Sequence, residues 1–232
     1  MTKIGIIGSG KIGGTLTRLF TKAGHKVTVA NSRGPASLAD MARETGALPT
    51  TVREIVRNSE IVAVAVPMLA VSSLPSGLFD NAPERLIVID TSNYYPQQRD
   101  GCIDEVEAGM TESGWVERQI RHPVIKVFNT IIAENLLNKG KPSGDAGRIA
   151  LAVAGDDPQA KATVMQLVEE IGFDAVDAGT IEQSWRQQPN SPGYLKDYDV
   201  AGVRQALAEA TQRRTPEWRA TRNSPGTYAS PA

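Results

Sequence analysis

The chain has 232 residues, with 25 lysine and arginine side chains and 26 aspartate and glutamate side chains; this near-neutral balance argues against a nucleic-acid partner, and the length suits one large or two small domains. The single cysteine, Cys102, excludes an internal disulfide, and the two histidines, His25 and His122, are too far apart in sequence to indicate a metal site. No apolar run approaches the roughly 20 residues of a membrane span, and the first predicted strand begins too early to leave room for a signal peptide, so we expect a cytoplasmic protein that does not bind a membrane.

The stretch from Lys3 to Gly14, KIGIIGSGKIGG, joins an aliphatic run to a glycine-rich turn. A buried parallel strand is typically aliphatic throughout, and the GxGxxG spacing stands where such a strand would turn into a helix. Gly8 would make the tight turn, Gly10 has no Cβ to hold a diphosphate away, and Gly13 would let the helix pack on its strand. The helix dipole would attract the diphosphate. We predict a dinucleotide site, as opposed to a glycine-rich turn in an unrelated α/β protein, at Gly8, Ser9, Gly10, Lys11, Ile12 and Gly13.

The residues after this turn complete a unit of strand, turn, helix and strand. Apolar residues recur at helical spacing from Ile12 to Ala23, Gly24 is a natural helix stop, and Val27–Ala30 is typical of a second strand. The unit spans about 30 residues, which is the size that the glycine motif requires.

The polar residues after the second strand indicate which dinucleotide binds. NAD sites usually offer Asp or Glu to the ribose 2′-hydroxyl here, whereas this chain has Asn31, Ser32 and Arg33. A 2′-phosphate would be repelled by a carboxylate and bound by a guanidinium with a hydroxyl beside it. We therefore predict NADP (NADPH) as the cofactor, and the alternative is an ordinary polar turn in which Arg33 is merely solvated.

The most strand-like run, Ile61–Val66, has no polar interruption and should lie at the centre of the sheet. Its carboxyl end delivers Pro67 and Met68 to the crevice where parallel sheets bind ligands, so this dipeptide either touches the cofactor or simply ends the strand. Before this run, we predict a helix over Pro35–Thr45, a short edge strand over Ala47–Pro49 and a helix capped by Thr51.

Two later strands are also followed by small polar residues. Leu86–Asp90 is an aliphatic strand followed by Ser92 and Asn93, and Val124–Phe128 is followed by Asn129–Thr130. Because the carboxyl ends of parallel strands share one edge of a sheet, these side chains should line the same cleft as Pro67.

The C-terminal part begins with a glycine and proline cluster near residues 139–147, which indicates a loop or a hinge. Strand, helix and strand then recur over Arg148–Ala154, Asp157–Ile171 and Phe173–Ala178, and these strands should extend the sheet. We predict an NADP-binding domain over 1–178, an acceptor-pocket or dimer segment over 179–214 and a flexible tail over 215–232. The predicted fold is α/β: a doubly wound, mostly parallel Rossmann-type sheet, extended by extra strands, with a short irregular and helical C-terminal part.

No general acid or base is evident, so the catalytic residues are unknown. His25 and His122 are interpreted as structural, and Cys102 lies in an acidic loop that disfavours a thiolate. Hydride transfer between two cofactor rings needs the rings to be close and shielded from water, and it needs no side-chain base.

The chain resembles the coenzyme F420-dependent NADP oxidoreductase family. The resemblance is carried by IGIIGSGKIGGTLTRLFTKAGHKVTVANSRGP, VAVAVP, KVFNTI and LAVAGDDPQAKATVMQLVEEIGFDAVDAG. It implies a hydride transfer between NADPH and C5 of a deazaflavin, usually in a homodimer. It also implies roles for particular residues: Ser9, Lys11 and Ile12 at the diphosphate, Ser32 and Arg33 at the 2′-phosphate, Val66, Pro67 and Met68 near the nicotinamide, and Asn129 and Thr130 beside the second ring.

The segment after Trp185, RQQPNSPGYLKDYD, departs from the archaeal form of this family, whose final helices complete the acceptor pocket. The resemblance therefore leaves the acceptor open between F420, another flavin and an acceptor that is not known. Two other readings stay open. The chain could be a reductase of the β-hydroxyacid dehydrogenase group, for which Glu134 and Lys139 are weak catalytic candidates, or a non-catalytic module that senses NADPH.

Overall fold

The computed structural model describes residues 1–232 and contains a main sheet of six parallel strands. In chain order these strands are β1 (Lys3–Ile7), β2 (Lys26–Ala30), β3 (Leu48–Pro49), β4 (Ile61–Val64), β5 (Ile87–Asp90) and β6 (Ile125–Lys126). Their spatial order is β3-β2-β1-β4-β5-β6. The order reverses between β1 and β4, which is the switch point where sheets of this kind bind ligands. The predicted doubly wound, mostly parallel fold is confirmed.

Eight α-helices accompany the strands. They are α1 (Lys11–Lys22), α2 (Ala39–Thr45), α3 (Val52–Asn58), α4 (Asp104–Glu107), α5 (Glu112–Ile120), α6 (Ala133–Asn138), α7 (Pro158–Glu170) and α8 (Val200–Glu209). The predicted cap of α3 is confirmed, because the Thr51 hydroxyl accepts from the Glu54 backbone N–H and the Glu54 carboxylate accepts from the Thr51 N–H. No helix combines the length and the apolar character that a membrane span requires.

The core has one large apolar cluster on each face of the main sheet. Ile4 and Ile6 of β1 pack in a cluster with Leu16 and Phe20 of α1, whereas Ile7 belongs to the other cluster. Successive side chains of a strand point to opposite faces, so the aliphatic run of β1 serves both clusters. This explains why the run contains no polar residue.

The two extra strands, β7 (Ala150–Val153) and β8 (Asp174–Asp177), form a parallel pair of their own. The pair joins the main sheet through an antiparallel bridge between Lys126 and Ala154, whose backbone hydrogen bonds measure 2.8 and 3.1 Å. A Cβ on Gly155 would lie 2.2 Å from Cδ1 of Ile125, so any larger residue here would have to displace the end of the Ile125 side chain. The extra strands thus extend the sheet through one bridge and not as further parallel members.

The remaining C-terminal residues contact different parts of the molecule: α8 packs on β7 and β8, and the last segment lies on the loop after β5. Residues 139–147 form an exposed loop. In the last segment, Nε2 of Gln97 donates to the carbonyls of Pro216 and Arg219 at 2.9 and 3.0 Å, and the Trp218 ring lies 6.0 Å from that of Tyr95. The tail is therefore laid against a loop of its own chain. The domain boundaries, the hinge and the flexibility of residues 215–232 stay predictions.

Candidate functional site

The glycine-rich turn between β1 and α1 has the geometry that a diphosphate requires. Gly8 has a φ of 110°, and a Cβ there would lie 2.2 Å from the Ala65 carbonyl oxygen. A Cβ on Gly13 would lie 2.0 Å from the Gly8 carbonyl oxygen, so both positions exclude any side chain. At Gly10, by contrast, a Cβ would meet no atom within 4 Å. Gly10 thus opens onto free space, which leaves room for a ligand at the start of α1.

The amino end of α1 is also electrostatically suited to an anion. Gly10 caps the helix without a side-chain hydrogen bond, and the first turn contains no acidic residue. The first N–H groups of a helix have no partner within the helix, and together with the helix dipole they attract a phosphate. The arrangement therefore fits the diphosphate of a dinucleotide.

The polar turn after β2 is tied to the glycine-rich turn by Asn31. Its Nδ2 donates to the hydroxyl of Ser9 at 3.0 Å and to the hydroxyl of Ser37 at 3.0 Å. Its Oδ1 accepts from the backbone N–H of Arg33 at 2.9 Å. Ser32 and the Arg33 side chain are exposed, and Arg33 takes part in no ion pair. The turn therefore presents a hydroxyl and a free guanidinium, which together fit a 2′-phosphate.

A cleft of about 770 Å³ opens beside the glycine-rich turn, and we call it the central cleft. One wall is α1, which contributes Lys11, Ile12, Thr15 and Arg18. The other wall comes from the ends of β5 and β6, from α6 and from Leu195. Four of the predicted site residues line it: Lys11, Ile12, Asn93 and Asn129.

Other predicted site residues stand near the carboxyl edge of the sheet without lining the central cleft. Val66 is half-buried and Pro67 is exposed directly after β4. Met68 is 0% exposed, Ser92 is 3% exposed and Thr130 is 8% exposed. Contact of Met68 or Ser92 with a nucleotide would need a conformational change, and the cofactor role of all these residues stays a prediction.

An amide network joins the ends of β5 and β6 to the C-terminal part of the chain. Nδ2 of Asn93 donates to the Asn129 carbonyl at 2.8 Å, and Nδ2 of Asn129 donates to the Gln187 carbonyl at 2.6 Å. The Gln187 amide in turn donates to Oδ1 of Asn129 at 3.1 Å. Gln187 is 1% exposed. The network fixes the side-chain amides of Asn93 and Asn129 in the cleft wall. The polar sequence around Gln187 contains no pattern from which this network could have been predicted.

Beneath the cleft lies a group of four charged side chains that we call the buried charge cluster: Asp90, Glu112, Lys126 and Arg214. Nζ of Lys126 lies 3.5 Å from Asp90, 3.8 Å from Glu112 and 2.9 Å from the carbonyl of Ser92. Arg214 bonds Glu112 at 2.8 Å. Two cations thus balance two carboxylates. Burial raises the pKa of the Glu112 carboxyl, and the charges of Lys126 and Arg214 oppose that rise.

Asp90 is the acceptor of most hydrogen bonds in this cluster. Its carboxylate accepts from the Ser92 backbone N–H at 2.9 Å, from the Ser92 hydroxyl at 2.6 Å and from the Ser113 hydroxyl at 2.6 Å. These bonds fix the backbone just before Asn93, which lines the central cleft. Sequence reasoning missed the cluster, although the lysine inside the aliphatic run VIKVF was a signal, because a lysine is almost never buried without a partner.

An aromatic cluster stands at the edge of the cleft. The hydroxyls of Tyr95 and Tyr194 are hydrogen-bonded, and the Trp218 ring lies 6.0 Å from Tyr95 and 5.8 Å from Tyr194. Burial raises the pKa of the Tyr95 hydroxyl. Tyr94 is 0% exposed and its hydroxyl donates to the Gly101 carbonyl at 2.8 Å, so only Tyr95 of this pair faces the cleft.

The other reactive side chains lie outside the cleft. His25 pairs with Glu170 at 2.9 Å, and His122 bonds the carbonyl of the next residue at 2.8 Å. The exposed Cys102 thiol donates to Asp104 at 3.2 Å, and this bond raises the pKa of the thiol. The two histidines are thus held by contacts within the protein, and the bond to Asp104 disfavours the thiolate form of Cys102, as the sequence indicates.

Residues 3–94 match the family described as "NADP oxidoreductase coenzyme F420-dependent". The match contains the glycine-rich turn, the Asn31–Arg33 turn and the ends of β4 and β5. It does not extend to Asn129, to α6 or to the C-terminal segment. The resemblance seen in the sequence is thus confirmed for the half of the site that would hold the nucleotide, and the other wall of the cleft lies outside the match.

Individual relatives cover different parts of the chain. Protein YjhV of Escherichia coli (strain K12) is 48% identical over 66 residues, which are 28% of this chain and 48% of that protein, so the match spans about half of the relative. A hypothetical protein from Sinorhizobium meliloti is 28% identical with a TM-score of 0.73, covering 85% of this chain and 95% of that one. A protein from Arthrobacter sp. FB24, described as a candidate F420-dependent NADP reductase, is 23% identical with a TM-score of 0.66, covering 79% and 87%, and this likeness shows the fold alone.

Proposed function

We propose, because residues 3–94 match the coenzyme F420-dependent NADP oxidoreductase family, that this chain transfers a hydride between NADPH and a flavin-like acceptor such as F420. The observation that carries the proposal is the continuity of the central cleft. The same space touches Lys11 and Ile12 of the phosphate-binding turn and Asn93 and Asn129 at the ends of β5 and β6. Two ligands that enter from these two walls would meet inside it.

The residues of the chain bind and orient the two reactants, and we assign them no proton transfer. The turn at Gly10 and the amino end of α1 hold the diphosphate, while Ser32 and Arg33 hold the 2′-phosphate. The fixed amides of Asn93 and Asn129 offer donors and acceptors to a ring in the cleft. When bound, NADPH supplies the hydride. A pair of aligned rings needs proximity and exclusion of water more than an acid or base.

The cofactor preference is tested with Arg33→Asp. Loss of the charge-assisted bonds to the 2′-phosphate is expected to weaken the binding of NADPH by about 2 kcal/mol or more, which is roughly thirtyfold in Kd. The affinity for NADH, which has no 2′-phosphate, should change little. Titration of the cofactor fluorescence measures both. The control is Arg204→Asp, because Arg204 is exposed on α8, outside the cleft, and the variant makes the same change in net charge. Equal loss of NADPH and NADH in Arg33→Asp would refute the role of Arg33.

One observation favours the alternative hypothesis that the chain is a reductase of the β-hydroxyacid dehydrogenase group. Glu134 is exposed and lines the central cleft, so a carboxyl is present where such an enzyme needs an acid. Lys139, the other candidate, is bonded to Asp197 at 2.7 Å. Assays of NADPH oxidation with flavins, deazaflavins, 2-keto acids and cyclic imines separate the two enzymes. Tight NADPH binding with no turnover of any acceptor would favour the sensing module.

A further inference from the structure

We propose that Asn93 recognises an amide edge of the acceptor ring, a C=O next to an N–H, and that the buried Gln187 positions Asn93 through Asn129. The pyrimidine ring that flavins and deazaflavins share carries such an edge. This recognition rests on the proposed function and narrows it to one part of the acceptor. The three side-chain amides differ in how many of their hydrogen-bonding groups the protein already uses.

The orientation of each amide is fixed by a backbone carbonyl, which can only accept a hydrogen bond. Nδ2 of Asn93 lies 2.8 Å from the Asn129 carbonyl oxygen, and Nδ2 of Asn129 lies 2.6 Å from that of Gln187. Nε2 of Gln187 lies 3.2 and 3.4 Å from the carbonyl oxygens of Ala152 and Lys126. Because a reversed amide would place two oxygens against each other, none of the three amides can turn over.

Hydrogen bonds inside the protein use most of the Asn129 amide and only half of the Asn93 amide. Nδ2 of Asn129 donates to the Gln187 carbonyl and, at 3.2 Å, to Oδ1 of Asn93, so both of its hydrogens are engaged. The Asn93 side chain makes two bonds, one from Nδ2 to the Asn129 carbonyl and one at Oδ1. Since an amide has two N–H donors and two acceptor lone pairs, Asn93 keeps one donor and one acceptor for a ligand.

Asn93 presents this free pair at the wall of the central cleft. It is half-buried there, whereas Asn129 is 2% exposed. An Asn amide forms two bonds at once with an edge that offers a donor next to an acceptor, as it does with adenine. The Phe128 and Tyr95 side chains line the same cleft and supply apolar contact for the body of a ring.

The Gln187 side chain is not explained by its own stability. It is 1% exposed, and its Oε1 has no hydrogen-bond partner. A buried acceptor without a partner costs free energy, and an apolar side chain of the same shape would avoid that cost. A donor is needed, however, to hold Oδ1 of Asn129, which lies 3.1 Å from Nε2 of Gln187. Gln187 therefore acts on the cleft through Asn129.

The recognition of the edge is tested with lumiflavin and 3-methyllumiflavin, which differ by a methyl group in place of the ring N–H. Quenching of flavin fluorescence with NADP⁺ present gives the Kd of each. We expect the wild-type protein to bind lumiflavin about tenfold more tightly, because the methyl group removes one hydrogen bond and leaves the Asn93 acceptor unpaired. Asn93→Ala should bring the two flavins within about twofold.

The positioning role is tested with Gln187→Met, which removes the amide and keeps the length of the side chain. It should also bring the two flavins within about threefold. In the Asn93→Ala background it should not change the ratio further, because Gln187 acts through Asn93. Gln188→Met is the control, since Gln188 is 6% exposed and its Nε2 has no partner, and it should keep the tenfold preference.

A measurement on the protein without an acceptor tests the same role independently. In isotope-labelled protein, the NMR signals of the Asn93 and Asn129 side-chain amides report their hydrogen bonding. Gln187→Met should shift the signals of both amides, and Gln188→Met should leave them in place.

The outcomes are distinct. Equal affinity of the wild-type protein for the two flavins overturns the recognition of the edge and leaves the proposed function standing. Unchanged amide signals in Gln187→Met, or an equal loss of preference in Gln188→Met, overturn the role of Gln187. If Asn93→Ala weakens NADPH and not lumiflavin, Asn93 binds the nicotinamide and the inference is wrong. If neither the flavins nor F420 bind, the proposed function and the edge recognition both fail, and the amide signals still decide the role of Gln187.

Discussion

Replacement of Lys126 by Met tests whether the buried charge cluster holds the carboxyl edge of the sheet together. Methionine has a similar length and leaves little cavity, so the main effect of the change is electrostatic. The variant removes the cation that lies 3.5 Å from Asp90 and 3.8 Å from Glu112. Arg214 then stands alone against two carboxylates that are both 0% exposed.

The expected loss follows from these distances and bonds. Removal of one partner from a buried ion pair costs about 3–5 kcal/mol, because it leaves a desolvated charge without compensation. Asp90 keeps three hydrogen bonds, from the Ser92 N–H and from the Ser92 and Ser113 hydroxyls, so the lower end, about 3 kcal/mol, is expected. For a chain of this length, that corresponds to a fall in Tm of roughly 6–12 °C.

The assay is urea unfolding followed by tryptophan fluorescence, with the free energy of unfolding obtained by linear extrapolation. Burial raises the pKa of the Glu112 carboxyl and the charge of Lys126 opposes that rise, so without the lysine the pKa of Glu112 rises further in the folded state. A carboxyl whose pKa is higher in the folded state makes the free energy of unfolding fall as the pH rises from the unfolded to the folded pKa. The loss of unfolding free energy in Lys126→Met should therefore be larger at pH 8 than at pH 5. Adding Glu112→Gln should restore part of the loss at pH 8.

Lys161→Met is the control, because Lys161 pairs with Asp177 at 2.8 Å near the surface, with side chains 14% and 56% exposed. Such a pair is worth about 1 kcal/mol or less. If Lys126→Met costs no more than this control, or if its deficit does not depend on pH, the electrostatic account of the cluster is wrong.

Three further predictions follow from the turns and caps. Gly13→Ala should lower the Tm sharply, because the new Cβ would lie 2.0 Å from the Gly8 carbonyl oxygen, and an unchanged melting curve would contradict the packing. Gly10→Ala should leave the Tm unchanged, since a Cβ there meets no atom within 4 Å. The same variant should weaken NADPH binding by about tenfold or more in a fluorescence titration, and an unchanged affinity would show that the diphosphate does not bind at this turn. Glu54→Gln should lower the Tm at pH 7, because hydrogen bonds from Thr50 and Thr51 lower the pKa of Glu54 to about 2. A lowered folded pKa gives stability above the unfolded value that is lost as the pH falls, so melts should show the deficit shrinking between about pH 4.5 and 2.

The N-terminal half of the fold was predictable because its signals are local. The glycine spacing, the aliphatic strand Ile61–Val66 and the cap at Thr51 each act within a few residues, and the structure has these elements, although the strand ends at Val64 and not at Val66. The end of one strand was not predictable: Phe128 takes a φ of 66°, which limits β6 to Ile125–Lys126, and an aliphatic run carries no sign of that turn.

The parts of the site that sequence reasoning missed depend on residues far apart in the chain. Glu112 meets Arg214, and Asn129 meets Gln187, across separations that no periodicity encodes. The segment around Gln187 is polar and contains prolines, which predicts only an irregular structure, whereas in the structure its amides bond the backbone and side chains of the sheet edge. The roles of the individual cofactor residues stay predictions, since they concern contacts with a ligand.

The contact between Arg214 and Glu112 affects how deletion mapping of the C-terminus should be designed. The Arg214 guanidinium lies 4.8 Å from the Tyr94 ring and bonds Glu112 at 2.8 Å, whereas Trp218 and the residues after it pack on the loop around Gln97. A shortened chain that stops before Arg214 would leave the buried Glu112 carboxylate with Lys126 as its one remaining cation, and its loss of activity would say nothing about the acceptor. A chain ending at residue 214 keeps the Arg214–Glu112 pair and removes the last segment together with Trp218 of the aromatic cluster, so a loss of activity in that fragment would report on the segment and not on the buried charges.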